Sequence, residues 1–143
     1  MAKVGETMTR DFVSVLPSAP IVEVAQKMRD SATGVIAVCE NGKFRGIVTE
    51  RGIISHTVAT AHNSKRECAR ALMKSDQPIV SPGEEITQAA KVMVNRGVRV
   101  LPVAQNKKLL GFFTLDDLAR ESLALAAIVL VKTAGERPRE AIA

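Results

Sequence analysis

Two matching segments hold the residues whose types and spacing could do chemistry. They are residues 46–53 and 111–118, and in each a Gly and two apolar residues precede a Thr that opens a predicted helix. Free N–H groups and the positive end of the helix dipole favour a phosphate group at such a position. In the second segment Asp117 follows Thr114 by three residues, and its carboxylate could accept hydrogen bonds from ribose hydroxyls. Thr114 and Asp117 together therefore predict a nucleotide-binding site.

A purely structural role explains the same two residues. In a capping box, Thr114 would cap the helix and Asp117 would reach back to the backbone, which stabilises a helix by about 1 kcal/mol. Most Thr-x-x-Asp sequences are only caps, so the spacing by itself does not assign a nucleotide site. Both interpretations stay open at this point.

Other kinds of site are not expected. The metal-ligating candidates are His56, His62, Cys39 and Cys68, but no C-x-x-C pair is present and Cys39 lies in a predicted strand, so we predict no metal site. The chain contains no Gly-x-x-x-x-Gly-Lys-Ser/Thr motif, no Gly-x-Ser-x-Gly motif and no convincing set of nucleophile, base and orienting residue. We therefore expect a binding protein with no catalytic residues, not an enzyme.

Composition restricts the class of protein. The 143 residues are 46% hydrophobic and 24% charged, the balance of a globular protein with one domain or two small units that share a core. The formal net charge of +5 favours anionic partners. Four Phe are the only aromatic residues, so stacking platforms for single-stranded nucleic acid are nearly absent.

No targeting segment is recognisable. Residues 1–11 lack the apolar stretch of a signal peptide, and two cysteines are too few for a disulfide framework. The longest apolar run, residues 123–131, falls well short of the ~20 residues that a membrane-spanning helix needs. We expect a cytoplasmic chain with reduced cysteines and no membrane span.

An internal repeat organises the chain. Residues 8–53 match residues 73–118 without a gap at an offset of 65, and thirteen of the 46 aligned pairs are identical. The identities fall on core and turn residues, among them Gly46/Gly111 and Thr49/Thr114. Two copies of one supersecondary unit that bury their apolar faces against each other would produce this pattern.

Each copy is predicted to fold as β-α-β-β-α. Apolar residues at i, i+3, i+4 and i+7 predict amphipathic helices that begin near Ile21 and Ile86. Two apolar runs separated by a turn follow each helix, and each pair predicts a β-hairpin. In the first turn, Asn41-Gly42 best tolerates the positive φ angles of a two-residue hairpin loop.

A second helix is expected after each hairpin, starting near Glu50 and near Leu115. The predicted fold class is therefore α/β (α+β). We divide the chain into a first repeat, a connecting helix and loop, a second repeat with a C-terminal helix, and a flexible tail: residues 1–56, 57–70, 71–131 and 132–143.

Three motifs stand out in this gapless tandem. They are Met-Thr-x-Asp-x-x-x-x-x-Pro at 8–17, Leu-Pro-Val at 101–103, and Gly-h-h-Thr-x-x-Asp at 111–117, where h is apolar. Over residues 3–121 the chain resembles a pair of CBS (cystathionine β-synthase) domains, the Bateman module. The resemblance implies two repeats packed with pseudo-twofold symmetry into one globule. It also implies clefts between them that bind adenine nucleotides: AMP, ADP or ATP, and in some members NAD or S-adenosylmethionine.

The resemblance assigns one nucleotide cleft to the intact motif. Thr114 and Asp117 are expected to hold phosphate and ribose. Short apolar residues of the other repeat are expected to sandwich the adenine, and they come from its first and second strands: Phe12, Val13, Thr33, Gly34 and Val35.

The second cleft departs from the family pattern, because Gly52 stands where the family has Asp. Loss of a hydrogen bond to a charged acceptor costs ~1.5–3 kcal/mol, about ten- to hundredfold in affinity. We expect this cleft to be the weaker one, with Arg51 and Arg99 still able to attract phosphate. It would be lined by Thr49, Arg51, Gln77, Pro78, Val98 and Arg99.

These observations predict a stand-alone regulatory module that senses an adenine nucleotide without turning it over. The nucleotide is a regulatory ligand and no catalytic cofactor is expected. An unknown effector protein, or a change in dimer geometry, would receive the signal. The C-terminal apolar run is expected to supply a homodimer contact through Leu123, Leu125, Ile128 and Val129.

Two alternatives stay open. Lys65, Arg66, Arg70 and Lys74 could form a basic face for nucleic acid, although a solvated helix face is the commoner outcome. The chain could also be a scaffold pair with vestigial clefts. Salt-dependent binding of DNA or RNA without nucleotide would favour the first alternative, and failure of every adenylate would favour the second.

Overall fold

The computed structural model describes residues 2–134 of the chain. Its strands are β1 (Ser14–Val15), β2 (Val35–Glu40), β3 (Lys43–Thr49), β4 (Val100–Gln105) and β5 (Lys108–Thr114). Its α-helices are α1 (Val4–Thr7), α2 (Ile21–Ser31), α3 (Glu50–Gly52), α4 (Ala69–Leu72), α5 (Ile86–Arg96), α6 (Leu115–Glu121) and α7 (Leu123–Ala134). A π-helix, Ile53–Val58, follows α3 directly. This mixed α+β content is the predicted fold class.

Apolar residues at helical spacing form α2 and α5 where the sequence predicts them. The buried side of α2 carries Ile21, Val24 and Met28, and that of α5 carries Ile86, Ala89, Ala90 and Met93. Both helices end at a residue in the left-handed conformation, where the chain turns towards the next strand.

Two antiparallel hairpins follow these helices. In the first, β2 pairs with β3 and the two-residue loop is Asn41-Gly42, with φ angles of 55° and 75°. The Asn-Gly prediction is therefore confirmed. In the second, β4 pairs with β5 through Asn106-Lys107, with φ angles of 53° and 67°. The extended segments before α2 and α5 add parallel pairing, through β1 to β2 and through a single bridge from Val80 to Val103.

The helices after the hairpins begin where predicted, at Glu50 and Leu115. α3 has only three residues before the backbone becomes π-helical, whereas α6 has seven. α7 continues to Ala134, so residues 132–134, which the sequence assigned to a flexible tail, are helical. The rest of the predicted tail, 135–143, lies outside the described residues.

The chain forms two compact units. Within the described residues, one combines residues 2–11 with residues 78–134, and the other is Phe12–Gln77. We call them the Asp117 unit and the Gly52 unit. Each has its own apolar core, with Met93, Leu101, Phe113 and Leu118 in the first and Ile21, Val24, Ile36 and Val48 in the second.

These units divide the chain at other points than the sequence repeat does, because each repeat's opening segment packs with the hairpin of the other repeat. In the Asp117 unit, the backbone of Thr9 exchanges two hydrogen bonds with Phe112 of β5, at 2.8 and 2.9 Å. In the Gly52 unit, Lys74 exchanges the equivalent pair with Ile47 of β3, at 2.8 and 2.9 Å. Each unit is thus completed by a segment that comes from the other copy in sequence.

Candidate functional site

Thr114 caps the first turn of α6. Its backbone is extended (φ −109°, ψ 166°), and its Oγ1 accepts a hydrogen bond from the N–H of Asp117 at 3.1 Å. In return, Oδ2 of Asp117 accepts from the N–H of Thr114 at 2.9 Å. The structure therefore contains the capping box that was one of the two interpretations of this pair.

Three further donors reach the Asp117 carboxylate. The Thr114 hydroxyl itself donates from Oγ1 to Oδ2 at 3.0 Å. Thr9 Oγ1 lies 3.0 Å from Oδ1 and 3.1 Å from Oδ2, and Arg120 Nη1 donates to Oδ1 at 2.6 Å. We call Thr9, Thr114, Asp117 and Arg120 the Asp117 cluster. The Asp117 side chain is 1% exposed and that of Arg120 is 70% exposed. A ribose hydroxyl that binds Asp117 would have to displace one of these donors, and the exposed Arg120 side chain is the one free to move.

Gly111 allows the cluster to assemble. Its ideal Cβ would collide with the carbonyl oxygen of Thr9, so a side chain at this position would push the Thr9 backbone away from β5. Gly46 has the same relation to the carbonyl of Lys74 in the Gly52 unit. The repeated Gly of the Gly-h-h-Thr motif is therefore required by the close approach of a neighbouring backbone.

In the Gly52 unit, Thr49 caps the helix as Thr114 does, but Gly52 supplies no carboxylate at the position of Asp117. Thr49 has nearly the same backbone angles (φ −108°, ψ 155°), and its Oγ1 accepts from the N–H of Gly52 at 3.0 Å. At the repeat offset, Lys74 stands at the position of Thr9 and Ser55 at that of Arg120. Of the four side chains in the Asp117 cluster, only that of Thr114 has an identical counterpart, which is Thr49.

The residues predicted for each cleft are divided between the two units. The Gly52 unit contains Phe12, Val13, Thr33, Gly34, Val35, Thr49, Arg51 and Gln77, and the Asp117 unit contains Pro78, Val98, Arg99, Thr114 and Asp117. Within the Gly52 unit, Val35 pairs with Thr49, and the N–H of Glu50 donates to the carbonyl of Gly34 at 2.9 Å. The short segment after α2 thus lies beside the first helical turn after β3.

An open cavity of about 510 Å³ lies on this side of the Gly52 unit. Thr33 and Gly34 line it together with Arg29 and Glu50, so both signs of charge are present at its wall. The remaining lining is mostly apolar: Ala25, Met28, Ala32, Ile53 and Ile54.

Two residues predicted for the weaker cleft have informative surroundings. Arg99 donates from Nε to Thr133 Oγ1 at 2.9 Å and from Nη2 to the carbonyl of Leu130 at 3.3 Å, which stabilises the C-terminal turn of α7. A phosphate would have to compete with these bonds. The Oε1 atom of Gln77 is buried and has no hydrogen-bond partner within residues 2–134, which leaves a buried acceptor unsatisfied.

A cluster that sequence analysis did not predict lies after α3. His56, His62 and Glu67 bring one potential ligand atom each to within 4.8 Å of one another. The five-residue spacing between the two histidines falls in the range of zinc-binding His pairs and could have indicated it. Neither cysteine belongs to this cluster. Burial raises the pKa of the Cys39 thiol, as expected for a thiol on a partly buried strand.

Along the described stretch of chain, every helix is too short or too polar to cross a membrane. α7 is the most apolar of them, and its side chains divide between two environments. Val129 is fully buried in the core of its own unit, so the prediction that it supplies a dimer contact is wrong. Leu125 is half-buried against that core. Leu123 and Ile128 are exposed, as that prediction requires, and Leu130 and Val131 join them.

Comparison with known proteins gives a consistent result. A family model described as CBS domain matches the chain twice, over residues 4–58 and 69–124. An uncharacterized protein of Methanopyrus kandleri is 35% identical over 130 residues, which cover 88% of this chain and 65% of that protein. The chain therefore spans less than two thirds of that relative's length.

Two further similarities extend over most of both chains. The CBS domain-containing protein YhcV of Bacillus subtilis is 29% identical over 119 residues, which cover 83% of this chain and 84% of that protein. The crystal structure of a conserved CBS domain protein from Thermoplasma acidophilum has a TM-score of 0.80 at 22% identity, and covers 91% of this chain and 75% of that one. At that identity the likeness shows the fold.

Proposed function

The chain belongs to the CBS domain family and carries two copies of the domain in tandem, and from this premise we propose that it is a regulatory module that binds an adenine nucleotide. The pair of domains supports a ligand-binding regulatory role, and the nucleotide is our inference. AMP, ADP and ATP are the first candidates, followed by NAD and S-adenosylmethionine. The observation that carries the proposal is the complete Gly-h-h-Thr-x-x-Asp motif at residues 111–117.

In the proposed complex, Asp117 accepts hydrogen bonds from the ribose hydroxyls and Thr114 contacts the phosphate. The carboxylate is already fixed in one orientation by the backbone of Thr114 and the hydroxyl of Thr9, so little side-chain entropy is lost when a ligand binds. Arg120 would leave Asp117 to make room for the ribose. Its guanidinium is then available to the negatively charged phosphate.

The proposed adenine contacts are Phe12, Val13, Thr33, Gly34 and Val35. They supply short apolar side chains and backbone, on which a flat base can pack. The second, weaker site would use Thr49, Arg51, Gln77, Pro78, Val98 and Arg99. The unsatisfied Oε1 of Gln77 supports a polar ligand there, because a donor such as an exocyclic amino group would complete it.

The module is proposed to act without turning its ligand over. The family model that matches describes a CBS domain, and a regulatory domain of the proposed kind transmits binding energy as a change in conformation or assembly. We propose an effector protein or a homodimer as the receiver of this signal. The dimer contact would use the exposed apolar residues of α7: Leu123, Ile128, Leu130 and Val131. The free thiols of Cys39 and Cys68 fit a cytoplasmic location.

The ultraviolet spectrum of the purified protein tests this proposal directly. The chain has no Trp and no Tyr, so the protein itself absorbs very little and a co-purified adenine base dominates the spectrum. We expect an adenine-like absorption maximum that is released on denaturation, with the ligand identified by mass spectrometry. A nucleic acid in the released material, with binding that weakens steeply in salt, would support a nucleic-acid partner instead.

A further inference from the structure

A second polar cluster has no part in the proposed nucleotide site. His56 belongs to the π-helix, His62 directly follows the turn at residues 59–61, and Glu67 belongs to the segment that leads into α4. We propose that these three side chains, the His56 cluster, bind a divalent transition-metal ion, with Zn²⁺ as the first candidate.

The separation of the ligand atoms fits a tetrahedral metal. Glu67 Oε2 lies 3.2 Å from His56 Nε2 and 3.4 Å from His62 Nδ1. Around a tetrahedral Zn²⁺ with bonds of 2.0–2.1 Å, neighbouring ligand atoms lie about 3.3 Å apart. Two of the three distances between ligand atoms, both from Glu67 Oε2, are therefore already close to the required length. The third, between the two imidazole nitrogens, is at most 4.8 Å, and metal binding would have to shorten it.

The donor types also fit. Two imidazoles and one carboxylate are a common set of three protein ligands for Zn²⁺, with the fourth position left for water or another ligand. Imidazole nitrogen suits zinc and its transition-metal neighbours better than Mg²⁺ or Ca²⁺, which prefer oxygen donors. The site therefore selects by chemistry against the most abundant cellular divalent ions.

Backbone hydrogen bonds hold the three ligands on one side of a short loop. The N–H of His62 donates to the carbonyl of Thr57 at 2.9 Å, and the N–H of Glu67 donates to the carbonyl of Asn63 at 2.9 Å. The Thr60 hydroxyl bonds to the carbonyl of His56 and lies 3.1 Å from His62 Nδ1. In the metal-bound form, Thr60 keeps its bond to the carbonyl and His62 turns its Nδ1 lone pair to the metal.

The cluster is accessible from solvent, since the side chains of His56, His62 and Glu67 are 39%, 47% and 22% exposed. Binding would also stabilise the fold. The carbonyl of Glu67 accepts from the N–H of Ile21 at 2.9 Å, so a metal ion would link the π-helix and its following turn to the start of α2. A ligand that binds only the folded chain raises its melting temperature.

A hydrogen bond between imidazole and carboxylate is about as long as the separation of two ligand atoms around Zn²⁺. The test is therefore whether the chain binds one metal ion per molecule with measurable affinity. We therefore titrate the full-length chain, freed of metal by a chelator and of nucleotide by dialysis, with Zn²⁺ against a chromophoric competitor. In parallel, Co²⁺ reports tetrahedral coordination by its visible absorption.

The expected result is one metal ion per chain, a tetrahedral Co²⁺ spectrum, and a rise in melting temperature that EDTA reverses. His62→Ala and Glu67→Gln should each weaken binding by more than the roughly 10–100-fold that loss of an outer-shell partner costs. His62 is exposed and its replacement leaves the core intact, so this variant stays folded.

Two control variants test whether side chains outside the His56 cluster bind the metal ion. Cys68→Ser removes the thiol next to Glu67, and Glu121→Gln removes an exposed carboxylate of the Asp117 unit; both should bind Zn²⁺ as the unchanged chain does. Absence of one-to-one binding would overturn the proposal. So would binding that survives in His62→Ala or is lost in Cys68→Ser. The titration contains no nucleotide, so its outcome is independent of the proposed regulatory function.

Discussion

The hydroxyl of Thr9 contacts both carboxylate oxygens of Asp117, at 3.0 and 3.1 Å, across 108 residues of sequence. The opening segment of the first repeat thus completes the polar cluster at the end of the second repeat. In the Gly52 unit the positions of Thr9 and Asp117 are taken by Lys74 and Gly52, and the cap of Thr49 stands without a carboxylate. This difference between the two repeats predicts unequal ligand sites.

Asp117→Ala is expected to reduce both stability and nucleotide affinity. The substitution leaves the N–H of Thr114 and the hydroxyl of Thr9 without their charged acceptor, which lowers the free energy of unfolding by about 1.5–3 kcal/mol. Loss of the ribose contact should weaken nucleotide binding about ten- to hundredfold. Urea denaturation followed by circular dichroism measures the first effect, and calorimetry below the melting range measures the second.

Asp116→Ala is the matched control, because Asp116 carries the same charge in the same helical turn and is exposed. It should lower stability by less than about 1 kcal/mol, through the helix dipole alone, and leave nucleotide affinity unchanged. If Asp117→Ala proves to be less stable but binds nucleotide as tightly as Asp116→Ala, Asp117 is only a helix cap.

Gly52→Asp should restore the missing acceptor in the Gly52 unit. Gly52 has helical angles (φ −60°, ψ −41°), so an Asp side chain can reach the N–H of Thr49 and complete a capping box, which adds about 1 kcal/mol of stability. We expect the weaker of two nucleotide-binding events to become tighter. Gly52→Ala places the same Cβ 3.2 Å from Thr49 Oγ1 without a carboxylate, and should leave that event unchanged.

Gly111→Ala should destabilise the Asp117 unit. The new Cβ would meet the carbonyl oxygen of Thr9, and the strand or the opening segment must shift, at a cost of about 1–3 kcal/mol. Gly83→Ala adds the same methyl group where nothing lies within 4 Å, and should change stability by less than about 0.5 kcal/mol. Equal stability of the two variants in urea would show that the Thr9 segment does not pack on β5.

A charge on the outer side of α7 should separate the proposed dimer. Ile128 is 51% exposed, and Ile128→Glu would place a carboxylate in the apolar contact, so light scattering should show a shift from dimer to monomer. Lys132→Glu changes an exposed residue of the same helix that is already charged, and should leave the dimer intact. A monomeric mass for the unchanged protein at micromolar concentration would contradict the proposed homodimer.

Local elements could be predicted from the sequence because they depend on residues a few positions apart. The apolar spacing of α2 and α5 and the Asn41-Gly42 loop are examples. The repeat offset also identified Gly52 as the counterpart of Asp117. The pairing of Thr9 with Asp117 could not be predicted, because an internal repeat does not say which copy receives the opening segment.

Side-chain environments were harder to predict than backbone elements. The run in α7 is apolar on all sides, so its sequence could not separate buried Val129 from exposed Ile128 and Val131. Arg99 was assigned to phosphate by its position in the repeat, and its bonds to α7 depend on a helix that the first repeat lacks. The His56 cluster depends on the π-helical turn after α3, which the sequence did not predict.

Calorimetric titration of the nucleotide-free protein tests the central claim most directly. The protein is confirmed to be folded by circular dichroism and free of nucleotide by its spectrum, and is then titrated with AMP, ADP, ATP, NAD and S-adenosylmethionine. We predict saturable binding of at least one of these adenine compounds, tighter at one site than at any second site. Absence of binding by all five to the folded, nucleotide-free chain would contradict the proposal that this CBS pair is an adenine-nucleotide sensor.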